Sequence, residues 1–309
     1  MTARWIENIL TTSLGLQAGE RVVVMCDQPL LAAGEALAAL ARQKGTADVR
    51  LVRLPEPGVM FAVVDGAFVQ AVREADVLIS MRSHLDLFEE DAHIRAAMSA
   101  FRQVGRARWA SLAQVDDEVL YGELSADFGA IAAEATCLAE EMRMGTRVHL
   151  TSEAGSDLTL SYEGRPIHVE TGMLRTPGSI GNLPAGEVFV APLESSAEGR
   201  LVVDLCLGDL WLDQPVTLTF ERGRVVRAEG GWTAHELRSR LGDDPWAWTI
   251  AEFGLGANPH VTLRGRVAID EKALGTAHIA LGSNLSFGGD NPAETHYDCV
   301  VARAQVKIT

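Results

Sequence analysis

Five side chains in the C-terminal half of the chain have the types and surroundings that suit a divalent metal: Glu187, Glu252, His278, His296 and Asp298. They lie in three short segments, GNLPAGEVFVAP, AEFGLGANP and GTAHIALGSNLSFGGDNPAETHYDCVV. Each segment embeds one or two ionisable groups among small or apolar residues, where a lone charge is costly unless something compensates it. His296 and Asp298 are separated by one residue, so on an extended strand both point to the same face, a chelating geometry. Carboxylates and imidazoles without a thiolate suit zinc, cobalt, manganese or ferrous iron.

Taken singly, each residue also has an ordinary reading. Glu187 follows a Pro-Ala-Gly turn and reads equally as an exposed loop residue. Glu252, between Ile250 and Phe253, fits a buried ion pair with an arginine. His278 stands in an apolar run, where a satisfied core histidine is common. His296 and Asp298 also read as an orienting hydrogen-bonded pair. In the N-terminal half, His84 of MRSHLDLFEED follows a strand-like run, the place where open α/β sheets present functional groups. It is the candidate catalytic acid, base or substrate ligand, against the alternative of a surface histidine near an acidic cluster. The run Glu89–Asp91 reads as a helix-entry cap and solvated face.

The elements that must position these residues change character along the chain. RVVVMCD is a short β-branched run, and LLAAGEALAALARQKG has apolar positions at helical spacing and stops at Gly45. The alternation continues through VRLVRLP, GAFVQAVREA, DVLISMRS, DAHIRAAMSAFRQVG and RARWASLA. Strands separated by helices of this length predict a mostly parallel, open α/β sheet. The Ala- and Glu-rich stretch from Asp116 to Met144 has high helix propensity. The boundary is placed near Gly145, dividing an α/β domain, 1–145, from a C-terminal metal-binding domain, 146–309. The second is predicted to be β-rich α+β with an antiparallel sheet, including a hairpin turned at Arg222-Gly223. Its one confident helix is TAHELRSRLG, with Thr233 as N-cap and Glu236 completing a capping box.

Bulk composition narrows the function classes. Of 309 residues, 47% are hydrophobic and 22% charged, which allows a packed core. A formal net charge of -15 without a basic stripe argues against nucleic acid or an anionic membrane as partner. Cys26, Cys137, Cys206 and Cys299 form no CxxC pair, so neither a disulfide framework nor a thiolate zinc site is indicated. The N-terminus lacks the apolar core of a signal peptide, and no apolar run approaches spanning length. A soluble, cytoplasmic protein acting on small molecules or short peptides is expected.

The segments GNLPAGEVFVAP, AEFGLG, GTAHIALG and the closing HYD resemble the ligand-bearing motifs of the thermophilic leucyl aminopeptidases, aminopeptidase T and aminopeptidase S. SDLTL resembles the family's GTDL motif, and the likeness covers about half the chain, from Asp157 onward. The resemblance implies that Glu187, Glu252, His278, His296 and Asp298 are ligands of a two-metal site holding zinc, cobalt or manganese. Two cations sharing a bridging water activate it for attack on an N-terminal peptide bond. It also implies a homodimer. The function expected first is therefore a metal-dependent hydrolase of the aminopeptidase type. The chain departs from the family in being shorter, in its shortened loop between His278 and His296, and in having Leu285 where the aminopeptidases carry a tyrosine. The shorter branch of the superfamily contains 2,5-dihydroxypyridine 5,6-dioxygenase, a ring-cleaving enzyme with one ferrous ion. Resemblance to that branch implies Fe(II) at Glu252, His296 and Asp298, acting on a hydroxylated pyridine.

Overall fold

The structure is a computed structural model and describes residues 3–55, 64–85 and 92–309. The acidic run Glu89–Asp91 lies outside the described residues. The chain divides into two compact units, one made of residues 1–129 and 172–185, the other of 130–171 and 186–309.

The first unit opens with a short helix, α1 (Arg4–Glu7), continued by a π-helical stretch, Asn8–Ser13. Strand and helix then alternate as the periodicity predicts: β1 (Arg21–Cys26), α2 (Leu31–Gln43), β2 (Asp48–Arg53), α3 (Gly66–Glu74), β3 (Val77–Met81), α4 (Ala92–Val104) and β4 (Arg108–Leu112). These strands form a parallel sheet in the order β2-β1-β3-β4, extended by a late strand, β8 (Ile180–Asn182), beside β4. β3 is buried along its whole length, and β1 at every residue but the first. That burial is the mark of a parallel sheet covered on both faces, and it explains the continuous apolar runs. Met25, Leu78 and Trp109 pack with Phe68 and Phe101 of the helices.

Helix propensity alone overstated the stretch from Asp116. It is broken into α5 (Asp117–Tyr121), a 3-10 turn (Glu123–Ser125) and α6 (Phe128–Arg143). The Asp116 carboxylate caps α5 by accepting from the Val119 N–H at 3.0 Å.

The second unit holds two six-stranded antiparallel sheets. The first contains β5 (Arg147–Thr151), β6 (Asp157–Ser161), β10 (Glu198–Val203), β12 (Val216–Glu221), β13 (Arg224–Glu229) and β17 (Gln305–Ile308), in the order β13-β12-β10-β6-β5-β17. The hairpin between β12 and β13 turns where expected, with Arg222 and Gly223 both at positive φ, +48° and +77°. The second sheet contains β7 (Ile167–Glu170), β9 (Glu187–Val190), β11 (Cys206–Leu207), β14 (Ile250–Gly256), β15 (Ala277–Gly282) and β16 (His296–Val301), in the order β11-β16-β15-β14-β9-β7.

Two helices complete the unit, α7 (Gly231–Leu241) and α8 (Val267–Asp270). The start of α7 corrects the capping-box expectation, because Thr233 lies inside the helix. The cap comes from a distant residue instead: the Asp213 carboxylate accepts from the N–H groups of Trp232 and Thr233 at 3.1 and 2.9 Å. Any carboxylate placed at a helix N-terminus meets the same unsatisfied donors, so a local motif is not required.

Among the described residues, no helix is long and apolar enough to cross a membrane.

Candidate metal centre

All five ligand candidates project from one face of the second sheet, because side chains alternate along each strand. The register makes rows across that face. Glu170 on β7 stands opposite Glu187 on β9, which stands opposite Gly256 on β14. His168, Phe189, Gly254 and His278 form the next row, then Glu252, Ala280 and Asp298, and last Gly282 and His296. Glu252 keeps the register of Gly254, and a bulge between Ile250 and Glu252 ends that register just beyond it. The small residues of EFGLG and HIALG are what leave room for the ligands. A Cβ on Gly254 would lie 2.2 Å from the His278 ring.

Among the described residues, two groups of three side chains bring ligand atoms within 4.8 Å of one another. The first is Glu252, His296 and Asp298; the second is Glu187, Glu271 and His278. His278 links them, with Nε2 3.2 Å from Glu252 Oε1 and 3.7 Å from Glu187 Oε2. The structure thus gathers the sequence-derived residues on one surface and adds Glu271.

The first group has the donor chemistry of a metal site. His296 Nδ1 lies 2.8 Å from the Ser283 carbonyl oxygen, which can only accept, so Nδ1 carries the hydrogen. Nε2 then faces Asp298 Oδ1 at 3.2 Å and Glu252 Oε2 at 3.4 Å. A neutral imidazole lone pair and two carboxylates converging this way need a cation between them, and the backbone carbonyl fixes the ring as outer partners of metal-bound histidines do. Without a metal, a proton takes the cation's place. Burial opposes the imidazolium of His296, yet Asp298 and Glu252 outweigh it and hold its pKa well above the usual range. Burial likewise opposes charge on His278, while its hydrogen bond to Glu252 and the charges of Glu187 and Glu271 raise its pKa to about 9. Desolvation would raise the Glu252 and Asp298 pKa values, but the two histidines hold both carboxylates below their ordinary range.

The second group contains a resident cation. Lys272, 1% exposed, places Nζ 2.5 Å from Glu187 Oε1, 2.9 Å from Glu271 Oε1 and 3.0 Å from Glu170 Oε2. The lysine and Glu271 follow α8, and Asp270 organises this corner. Its carboxylate accepts from the N–H groups of Arg264, Gly265 and Arg266. Desolvation raises the pKa of Glu187 well above normal, against the pull of Lys272, and raises that of Glu271. The ammonium stays charged: burial disfavours it, and the three carboxylates more than compensate. Sequence reasoning missed Glu170, Glu271 and Lys272. DEK looks like a solvated charge run, and the only hint is its position between the apolar VAI and ALG of VAIDEKALG.

An aromatic wall adjoins the first group. The Phe287 ring meets His296 edge to face, with centroids 6.0 Å apart, and meets Phe189 at 5.6 Å. His168 stacks on Phe189 at 5.1 Å and places Nε2 3.0 Å from the Phe287 carbonyl oxygen. The turn carrying Phe287 is held by Glu194, which accepts from Asn284 Nδ2 at 2.9 Å and from the Asp290 N–H at 2.8 Å. Leu285 is exposed on this turn. The aromatic side chain that reaches His296 is Phe287, which has no hydroxyl to donate.

His84 belongs to the first unit. It follows β3, and Asp27 follows β1, so both stand at the carboxyl ends of the adjacent strands where the order of the parallel sheet reverses. Asp27 Oδ2 lies 3.4 Å from His84 Nδ1 and accepts from the Ser83 N–H and hydroxyl at 2.6 and 2.7 Å.

The first unit thus carries a parallel sheet, and the second clusters carboxylates and imidazoles on one face of an antiparallel sheet. A model of the NicX family, 2,5-dihydroxypyridine 5,6-dioxygenase, matches residues 3–309, and the chain belongs to that family. A curated relative, 2,5-dihydroxypyridine 5,6-dioxygenase of Pseudomonas putida, is 30% identical over 184 residues, which cover 54% of this chain and 52% of the relative. The matched segment therefore spans about half the length of that relative. Two solved structures share the fold. The 2,5-dihydroxypyridine dioxygenase of Pseudomonas putida KT2440 has a TM-score of 0.74 at 22% identity, over 99% of this chain and 92% of the other. AmpT of Thermus thermophilus has a TM-score of 0.75 at 19% identity, over 98% and 93%. Family membership favours the dioxygenase branch over the aminopeptidase reading that the ligand motifs first suggested.

Proposed function

We propose that this protein is a mononuclear ferrous-iron dioxygenase that opens a hydroxylated nitrogen heterocycle of the 2,5-dihydroxypyridine kind, with Glu252, His296 and Asp298 as the iron ligands. The observation that carries the reading is the convergence of these three side chains beside the Phe287 and Phe189 rings. Bound there, ferrous iron would supply the electrons that let ground-state dioxygen react with a closed-shell ring, and open positions for the substrate's oxygen donors. The protein's own groups hold the reactants. Phe287 offers an apolar edge to a flat ring. His296 is kept in one orientation by Ser283, and Glu252 is held by His278.

The alternative, two-metal peptide hydrolysis, draws on the second cluster. Lys272 inside that cluster and Leu285 where the aminopeptidases carry a phenol weigh against it. The test is direct. Protein loaded anaerobically with Fe(II) is given 2,5-dihydroxypyridine, and oxygen uptake and loss of the ring absorbance are followed. A parallel sample loaded with zinc, cobalt or manganese is given leucyl peptides. Oxygen uptake matched to ring loss supports the proposal, and peptide hydrolysis without oxygen uptake overturns it.

A further inference from the structure

We propose that the ammonium of Lys272 is a built-in second cation, which occupies the Glu187–Glu271–His278 cluster and so limits the centre to one metal ion per chain. The inference rests on the preceding reading in placing that metal at Glu252, His296 and Asp298.

The argument begins with burial. Glu187 is 4% exposed and Glu271 9%, and with Glu170 they turn carboxylates toward one point. Stranded carboxylates in such surroundings are strongly destabilising, so something positive must sit among them. Lysine is suited to the place, because its ammonium has three hydrogens to donate and here meets three carboxylate oxygens, at 2.5, 2.9 and 3.0 Å. Two of those oxygens belong to the residues that, with His278, could hold a metal. The remaining Glu187 oxygen, Oε2, is buried without a hydrogen-bond partner and faces His278 Nε2 at 3.7 Å. A divalent ion in the second cluster would have to lie against the ammonium, where like charges in a buried setting repel. Among the described residues the first cluster has no such occupant, and its convergent atoms are imidazole nitrogen and carboxylate oxygen.

A second consequence concerns the bridge between the clusters. His278 Nε2 lies nearer Glu252 than Glu187. With the lysine in place, His278 serves as a hydrogen-bond donor that orients Glu252, a positioning residue rather than a ligand of a second ion.

The test counts ions. Metal-free wild-type protein and Lys272→Ala are titrated with Mn(II) or Co(II) by calorimetry, with bound metal checked by elemental analysis. Wild type is expected to take up one ion per chain and Lys272→Ala two, with the melting temperature of the variant rising further on the second equivalent. Two tight ions in wild type, or one in wild type and still one in a folded Lys272→Ala, overturns the proposal. Should the single variant fail to fold, Lys272→Ala with Glu170→Gln removes one stranded charge, leaves Glu187, Glu271 and His278 in place, and is read in the same way. Wild type that binds no metal beside a variant that binds one keeps the role of the lysine and sinks the Glu252–His296–Asp298 site. No binding by either sinks both.

Discussion

Gly254 faces His278 across the pairing of β14 with β15, and the histidine ring fills the space that a side chain at residue 254 would need. The ring is 1% exposed, and the atoms that an added Cβ would meet, Cε1 and Nε2, include the nitrogen engaged with Glu252. Gly254→Ala should push His278 out of reach of Glu252 and lower metal affinity by roughly 10-fold to 100-fold, the usual result of disturbing an outer partner of a ligand. Calorimetric titration with Mn(II) measures this. Unchanged affinity would show that His278 does not position Glu252.

His296→Ala and Asp298→Ala should each abolish activity and most metal retention while the protein stays folded. Both side chains are partly exposed, so their loss leaves no deep cavity. Elemental analysis and circular dichroism of the purified variants report the two halves of the claim. Wild-type activity in both would remove these residues from the site.

Asp27 gives a pH dependence of known sign. Desolvation would raise its pKa, yet the hydrogen bonds from His84 and Ser83 prevail and lower it. A carboxylate with a depressed native pKa contributes stability that is fully present above its unfolded pKa and disappears as pH falls through its native value. The melting-temperature gap between wild type and Asp27→Asn should therefore be wide near neutral pH and close as pH falls below about 4, the ordinary carboxylate value. A gap that stays constant as the pH falls would contradict the assignment.

Glu194→Ala should loosen the turn that carries Phe287. It removes an acceptor for Asn284 and Asp290 and the partner of Arg165 at 2.6 Å. Each charge-assisted bond contributes on the order of 1.5–3 kcal/mol, so a lower melting temperature is expected. Weaker binding of an aromatic ligand should accompany it, measured as a raised KM at near-normal kcat. A variant with unchanged KM would mean that Phe287 does not contact the substrate.

Much of this architecture was legible because it depends on periodicity. RVVVMC, DVLISM and RWASL read as buried parallel strands, and HYD placed His296 and Asp298 on one face, because alternation is local. What escaped was set by distant contacts. Nothing near Ile180 signals that it joins β4, since a three-residue strand has too few side chains to show a period. The cap of α7 comes from Asp213, outside the helix segment itself. Nothing local signals the burial of Glu271 and Lys272, because it depends on Glu187 and Glu170, about a hundred residues earlier in the chain. Resemblance supplied the ligand set, and with it the expectation of two metals. The family match then shifted the activity toward the dioxygenase.

The placement of the five candidate ligands on one sheet face has a bearing on how such a protein can change over generations. Deleting one residue inside β15 or β16 would turn His278, or His296 and Asp298, to the opposite face and dismantle the centre at a stroke. Residues added to or removed from the connections at 257–276 and 283–295 leave the rows in register. New chemistries can therefore arise on this scaffold by rewriting connections, and Lys272 and Phe287 both lie in them.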